Sequence, residues 1–541
     1  MPRIKTFTVF VVTLAVFFSG IVAVKAATQA TFARFFLIFN GSQDSSHAWW
    51  QSSTVVDMAG GVHSVFYDSV ELSYAYCSTD CSNPANWAAI TVASLSSYTS
   101  LAHPSLAVDA NNRPRLMWFD GDGYRYAECN ANCASAANWT AVQVPVADAE
   151  WGAPYPKNGR YFALDTQGRP RFAIEGLRYT TCEANCTTAS NWSSARLAVN
   201  EYGLYYPQLV FNPNDQPRLL GYDSQDRLVY LECSSSCGQV ASWNHVTLPY
   251  SASSLFYDSN FSFRLDGQGR PRLAFYDLDT GGTTLRYAWS NANSLTTAGW
   301  SSYGLPYAPA DDHTVDLAID SQNRPRVAFG SETEDLSYGV CTVNCETANP
   351  TWQRQDIETG DELNLSDPIP TNPGCMVSTW MLGEYPSLAL DNADRPHVSY
   401  YARHVQGFCG GTSSYNDAWA IRFARPSGST PPAPPVTVGV NGPALGVINT
   451  SYTFTATVSP VSATTPITYV WQATGLAPQT HTGRGINDTV TFTWPAGATG
   501  MKTISVSATN RAGTKQGSRT ILITATPIVF NHWVYLPMTV R

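Results

Sequence analysis

The chain repeats itself over most of its length, and this feature constrains the fold more than any other. One unit reads HPSLAVDANNRPRLMWFD…YRYAECNANCASAANWTAVQV, His103 to Val144. Another reads YFALDTQGRPRFAIE…LRYTTCEANCTTASNWSSARLAV, Tyr161 to Val199. Further copies start near Tyr206, Asn260, His313 and Tyr385, and a worn first copy starts near Gln51, making seven. Each copy holds four short alternating segments between turn residues; in the second they are Ser105–Val108, Arg115–Phe119, Tyr124–Glu128 and Trp139–Val144. Four strands in a repeat of this length are the pattern of a propeller blade. The expected fold is therefore all-β, with a seven-bladed β-propeller over 27–425. The last copy lacks a fourth strand, whereas 31–39 (TFARFFLIF) is strand-like and otherwise unassigned. That N-terminal strand is expected to complete the last blade and close the ring.

The repeated residues have structural duties. Asp109, Asp165, Asp266, Asp320 and Asp391 end a first strand before a turn rich in Asn, Gly and Arg-Pro, where a carboxylate can take the turn's free N–H groups. Arg115, Arg171, Arg218, Arg272 and Arg326 recur within reach of carboxylates. Trp87, Trp139, Trp192, Trp243, Trp300 and Trp352 recur at one position and are expected to pack on the neighbouring blade.

Arg3 and Lys5 precede an apolar run that ends in Val24-Lys25-Ala26-Ala27, the pattern of a secretory signal peptide over 1–26. An uncleaved anchor is the alternative, because the run nearly reaches membrane length. No second apolar segment of that length follows, so no membrane span is expected after cleavage. Ten of the twelve cysteines form five pairs with three residues between: Cys77 with Cys81, Cys129 with Cys133, Cys182 with Cys186, Cys233 with Cys237, and Cys341 with Cys345. In an exported chain an even count reads as disulfides. Cys375 and Cys409 are expected to pair with each other. The fifth copy lacks both cysteines together and has Ser290 and Ser294, as a within-loop bond requires. Each pair stands alone, so no metal site is expected. Charged residues make up only 13% and the net charge is −9, which argues against a charged disordered chain and against a nucleic-acid partner.

After Arg425 a proline-rich spacer, 426–435, leads into strongly alternating sequence over 436–525. About seven short strands in such a stretch read as an Ig-like β-sandwich with Trp471 in its core. A short aromatic tail, 526–541, follows.

In an up-and-down blade the turns between strands one and two and between strands three and four share one face. The loops between strands two and three share the other with the connections between blades. The uniform turns and the cysteine pairs thus lie on one face, and the irregular segments 145–158, 358–384 and 402–417 lie opposite. Function rides on variable loops, so the irregular face is the candidate site. It carries acids after strand two (Asp68, Asp120, Glu175, Asp223, Asp277) and aromatics in the connections (Trp151, Tyr155, Tyr206, Trp380, Tyr385). Carboxylates that accept hydroxyl bonds, with rings that stack on apolar sugar faces, suit carbohydrate. No complete catalytic motif is present and no cofactor is expected: there is no His-Glu-x-x-His, Gly-x-Ser-x-Gly or phosphate-cradling loop.

The run PSLALD…RPHVSYY, followed by L-x-Y-A and a Trp, resembles the repeats of exported bacterial propellers of the sialidase-like (BNR-like) group, over roughly 30–425. The Asp-box pattern of true sialidases, S-x-D-x-G-x-x-W, is absent. Residues 436–525, especially KTISVSATNRAG, resemble PKD-like and Ig-like modules of bacterial surface proteins. The resemblance implies a propeller joined to a PKD/Ig-like sandwich. The expected role is a non-enzymatic cell-surface binding or adhesion protein, its propeller face taking extracellular glycan. A glycoside hydrolase or lyase of sialidase-like type is the alternative, and a structural surface protein that binds other proteins is the third reading.

Overall fold

The computed structural model describes residues 32–40, 51–68, 71–94, 104–120, 123–146, 160–174, 178–197, 204–251, 261–277, 284–307, 314–331, 333, 335–411, 413–427, 434–460, 463, 467–510 and 513–527. The expected signal peptide lies outside them. Among the described residues are seven four-stranded antiparallel sheets followed by two further sheets. In the first six, four consecutive strands lie in chain order. Their first strands are Ser52–Val56, Ser105–Val108, Phe162–Leu164, Tyr205–Phe211, Phe261–Leu265 and Val315–Ile319. The seventh sheet contains Val377–Leu390, Pro396–Cys409 and Ser413–Pro426, and its fourth strand is Phe32–Asn40 from the N-terminus. That strand runs antiparallel to Ser413–Pro426 with Phe35 opposite Phe423. Each first strand lies against the first strand of the next sheet, and the seventh lies against the first. The sheets form a closed β-propeller.

Three recurring devices hold the ring. The first is aromatic. Each repeated tryptophan meets an aromatic ring of the preceding sheet edge-on: Trp139 on Tyr74, Trp192 on Tyr126, Trp243 on Tyr179, Trp300 on Tyr230 and Trp352 on Tyr287. Trp87 meets Phe423 of the seventh sheet in the same way. These T-shaped contacts add about 0.5–1.5 kcal/mol each beyond the area they bury.

The second device is the Asp–Arg turn. The Asp109 carboxylate accepts the amides of Asn111 and Arg113 at 2.9 and 3.0 Å and the side chains of Arg113 and Arg115 at 2.7 and 3.2 Å. Arg115 then reaches the Cys129 carbonyl at 2.8 Å, tying this turn to the cysteine loop. Asp165 with Arg171 and Asp266 with Arg272 repeat the arrangement. One turn residue must adopt a left-handed backbone, and those positions hold Asn112, Gly168, Asp215, Gly269, Asn323 and Asp394.

The third device sews neighbouring first strands together near the axis. The side chains of Ser53, Gln208, Ser262, Asp316 and Ser387 accept the amides of Leu106, Phe263, Leu317, Leu388 and Thr54, each in the following sheet. At Tyr161 the side chain cannot play this part, and the carbonyl of the preceding Arg160 takes the Leu209 amide instead.

All twelve cysteines are paired as the spacing predicts. Five disulfides close short loops: Cys77 to Cys81, Cys129 to Cys133, Cys182 to Cys186, Cys233 to Cys237, and Cys341 to Cys345. The sixth joins Cys375 to Cys409. In the first four sheets the carbonyl of the second cysteine accepts the indole N–H of the repeated tryptophan: Cys81 from Trp87, Cys133 from Trp139, Cys186 from Trp192 and Cys237 from Trp243. The fifth sheet keeps that bond without a disulfide: Trp300 donates to Ser294, while the Ser290 hydroxyl donates to the Ala292 carbonyl. The sixth sheet departs from it. There the Cys345 carbonyl accepts the Tyr303 hydroxyl at 2.8 Å, and Trp352 donates to that same hydroxyl oxygen at 3.1 Å.

The last two sheets have three and five strands and share one apolar core built on Phe454, Tyr469, Trp471, Phe492, Ile504 and Ile521. Trp471 is fully buried, and its N–H donates to Asp488 at 2.8 Å. Among the described residues no helix is long and apolar enough to cross a membrane.

Candidate functional site

Two further places depart from the repeat. One is on the ring axis. Asp316 occupies the sewing position that holds Ser53, Ser262 or Ser387 elsewhere, and Arg264 occupies a position that is Ala107, Ala318 or Ala389 in other copies. With Arg160, which enters the third sheet, they form one cluster. Asp316 accepts Arg264 at 2.7 Å, the Ser262 hydroxyl at 2.7 Å and the Leu388 amide at 2.7 Å, and it pairs with Arg160. Arg160 also donates to the Leu388 carbonyl at 3.3 Å. The cluster therefore links the third, fifth, sixth and seventh sheets across the ring. Asp316 is fully buried, and the two arginine side chains are 17% and 15% exposed. Two guanidinium groups face one carboxylate, so the cluster carries a surplus positive charge. Burial opposes the Asp316 charge, but the two arginines, the Ser262 hydroxyl and the Leu388 amide outweigh it and hold the carboxyl below its ordinary range. Burial, and then the like charge of Arg160, push the Arg264 guanidinium down to about 10.

The other departure is the seventh sheet. Its first three strands are 14 residues long, against three to seven for the first strands of the other sheets. The extra length projects from the end where strands two and three connect, which is the irregular face. Helix α1 (Gly360–Ser366) covers one side of this projection. Its start is held by a capping box between Thr359 and Glu362. Its Leu363 packs on Trp380, Leu382, Ala402 and Ala418. A cleft of about 300 Å³ opens beside α1, lined by Arg34, Phe36, Glu358, Glu362, Asp367 and Arg422. Within it Glu358 accepts two bonds from Arg422 at 2.6 Å each, and the Arg422 guanidinium lies 4.3 Å from the Phe36 ring centre. The irregular segments 358–384 and 402–417 thus become one body.

Three of the acids expected to face a ligand are engaged within the blades. Asp120 pairs with Arg125, Asp223 with Arg227 at 2.6 Å and Asp277 with Arg286 at 3.4 Å. Asp223 and Asp277 are buried, and Asp223 also takes the Gln225 and Arg227 amides. An acid after strand two is thus the mate of an arginine that opens strand three. Trp380 and Tyr385, expected on the surface, are buried. The Trp380 N–H donates to the Asp367 carbonyl at 3.0 Å, and the ring lies against Phe36 and His404. Tyr385 packs on Tyr401. Tyr206 is half-buried, edge-on to Tyr222. Asp68 ends the strand Val62–Asp68, with its side chain outside the described set, and Trp151, Tyr155 and Glu175 lie outside the described residues.

The sequence reading missed Arg160, Arg264 and Asp316. Aligning the repeats column by column marks two of them, since an acid replaces serine and an arginine replaces alanine. Among the described residues no three His, Cys, Asp or Glu side chains gather as a metal ion would need.

No protein-family model matches the chain, and no curated protein matches it. Solved structures that resemble it include the NanB sialidase from Streptococcus pneumoniae, at 12% identity and a TM-score of 0.39, covering 72% of this chain and 70% of that one. A polysaccharide lyase, PL25 ulvan lyase, matches at 9% identity and a TM-score of 0.37, covering 71% and 95%. The WD40 domain of Toxoplasma gondii coronin matches at 8% identity and a TM-score of 0.35, covering 59% and 80%. Likeness this distant carries no argument about activity.

Proposed function

We propose that the chain is an exported binding protein, a seven-bladed β-propeller joined to a PKD/Ig-like sandwich, whose irregular face takes an acidic extracellular glycan at the ring axis. The observation that carries this reading is the Arg160–Asp316–Arg264 cluster. Three residues that break the repeat meet on the axis, and they leave one guanidinium charge unmatched by Asp316. A planar, permanently charged fork suits a carboxylate or sulfate on a sugar. Six disulfides support an oxidising, extracellular setting. Asp68, Trp151, Tyr155, Glu175 and Tyr206 are proposed as further ligand-binding residues, with the sandwich as a spacer or attachment unit at the cell surface.

The test is a glycan array of the mature chain, 27–541, with uronate-bearing, sialylated, sulfated and neutral glycans. Acidic glycans should bind and their neutral counterparts should not. Arg160→Gln and Arg264→Gln should each weaken binding roughly tenfold or more, the scale of one charge-assisted hydrogen bond. Equal binding of neutral glycans, or none to any glycan, rules the reading out.

A further inference from the structure

We infer that the projection of the seventh sheet carries a separate catalytic site, a Ser378–His404–Asp417 relay that makes Ser378 a nucleophile toward small carboxylic esters with an apolar acyl group. The geometry is continuous. Ser378 Oγ lies 3.1 Å from His404 Nε2, and His404 Nδ1 lies 2.6 Å from Asp417 Oδ1. Asp417 Oδ2 accepts Gln406 Nε2 at 2.8 Å, and the same amide lies 3.4 Å from Ser378 Oγ, so Gln406 braces the carboxylate against the serine. Beside a carboxylate, Nδ1 of a neutral imidazole keeps its proton, which leaves the Nε2 lone pair facing the serine oxygen. The Trp380 ring stands edge-on to His404 at 5.3 Å and fixes its plane. His404 and Asp417 are buried, and Ser378 is half-buried. The Ile369 carbonyl, 2.8 Å from Ser378 Oγ, competes for the hydroxyl proton until a substrate enters.

A second observation names the substrate class. Met376 is 82% exposed and Phe408 54% exposed, and Val377, opposite Gly407, is exposed beside them. Phe408 is held at φ 54°, a costly backbone for a bulky residue, and the Cys375–Cys409 bond braces the segment. Met376 and Phe408 stand two residues from Ser378 and from its cross-strand partner Gln406, and an acyl chain would lie along them.

In the reaction the Ser378 oxygen bonds to the ester carbonyl carbon as its proton passes to His404 Nε2. The carbon–oxygen bond to the leaving alcohol then breaks, and the alcohol takes that proton. Water attacks the acyl-serine, gives a proton to Nε2, and the acid departs as the serine oxygen recovers its proton.

The experiment treats the mature chain with a fluorophosphonate probe, maps the adduct by mass spectrometry, and follows p-nitrophenyl butyrate hydrolysis. The probe should bond to Ser378, and Ser378→Ala should abolish both label and turnover. Asp417→Asn should slow turnover by roughly 100-fold or more. Ser378→Ala removes one oxygen and serves even if the other variant unfolds. A folded wild-type chain without label on Ser378, or turnover unchanged in Ser378→Ala, overturns the inference. Neither outcome depends on glycan binding.

Discussion

The hydroxyl of Ser387 accepts the amide of Thr54 at 2.9 Å, joining residues 333 positions apart. With the Ser399 hydroxyl, which lies 2.7 Å from those of Ser52 and Thr54, it is one of the bonds by which the seventh sheet grips the first. Both residues are buried, so no water replaces it. Ser387→Ala should lower stability by about 1–3 kcal/mol, the cost of an unsatisfied buried N–H. Chemical denaturation measures this. A loss within error would show that the sewing bonds do not support ring closure.

Arg272 and Asp266 pair at 2.7 Å with both side chains fully buried. Removing the cation leaves a buried carboxylate with the partly exposed Arg270 side chain and the Gln268 and Arg270 amides, but without its buried counter-charge. Arg272→Met should cost about 3 kcal/mol. Arg113→Ala, which removes a side chain 39% exposed, should cost under about 1 kcal/mol. Equal losses would show that burial does not set the strength of these pairs.

The fifth sheet keeps its loop with Ser290 and Ser294, so a serine pair is a natural substitute for the short disulfides. Cys129→Ser with Cys133→Ser should cost at most about 2 kcal/mol, because the closed loop is very small. Cys375→Ser with Cys409→Ser opens a loop spanning 34 positions and should cost about 3–4 kcal/mol. Thermal melts of the two variants would rank them.

Asp223, Asp266, Asp316 and Asp320 are all held below their ordinary value of 3.8; burial opposes this and bonded arginines and amides outweigh it. The unfolded chain takes up protons near 3.8 while the folded chain still does not. The stability these carboxylates add is therefore present above that value and lost as pH falls through the lower folded values. Burial also holds His397 below 6.5, despite its bond to Asp391. An unfolded histidine is then protonated first, so a smaller loss begins as pH drops below 6.5. Denaturation midpoints across pH 7 to 2 should decline gently and then steeply below about 4. A midpoint constant down to pH 3 would refute this.

Much of the architecture is legible in local text. The Asp–Arg turn acts within a few residues, so Asp109 and Arg115 announce it, as do Asp165 with Arg171 and Asp266 with Arg272. The cysteine spacing places both sulfurs on one short loop, and the replacement of both by serine in one copy is informative without coordinates. The site was harder to read. Trp380 and Tyr385 sit in irregular sequence that looks like connection, yet long strands and α1 bury them. Asp223 and Asp277 look like free acids because their arginine mates belong to a turn whose closure is not written in either residue alone.

Periodicity, turn chemistry and cysteine spacing act between near neighbours, and the order of residues settles them: sheets of four strands, their turns and their short disulfides. The meeting of Arg160 with Asp316, of Ser387 with Thr54 and of Ser378 with His404 was decided only by closure of the ring and extension of the seventh sheet. Those contacts join distant positions, and each depends on where whole strands and sheets come to rest against one another.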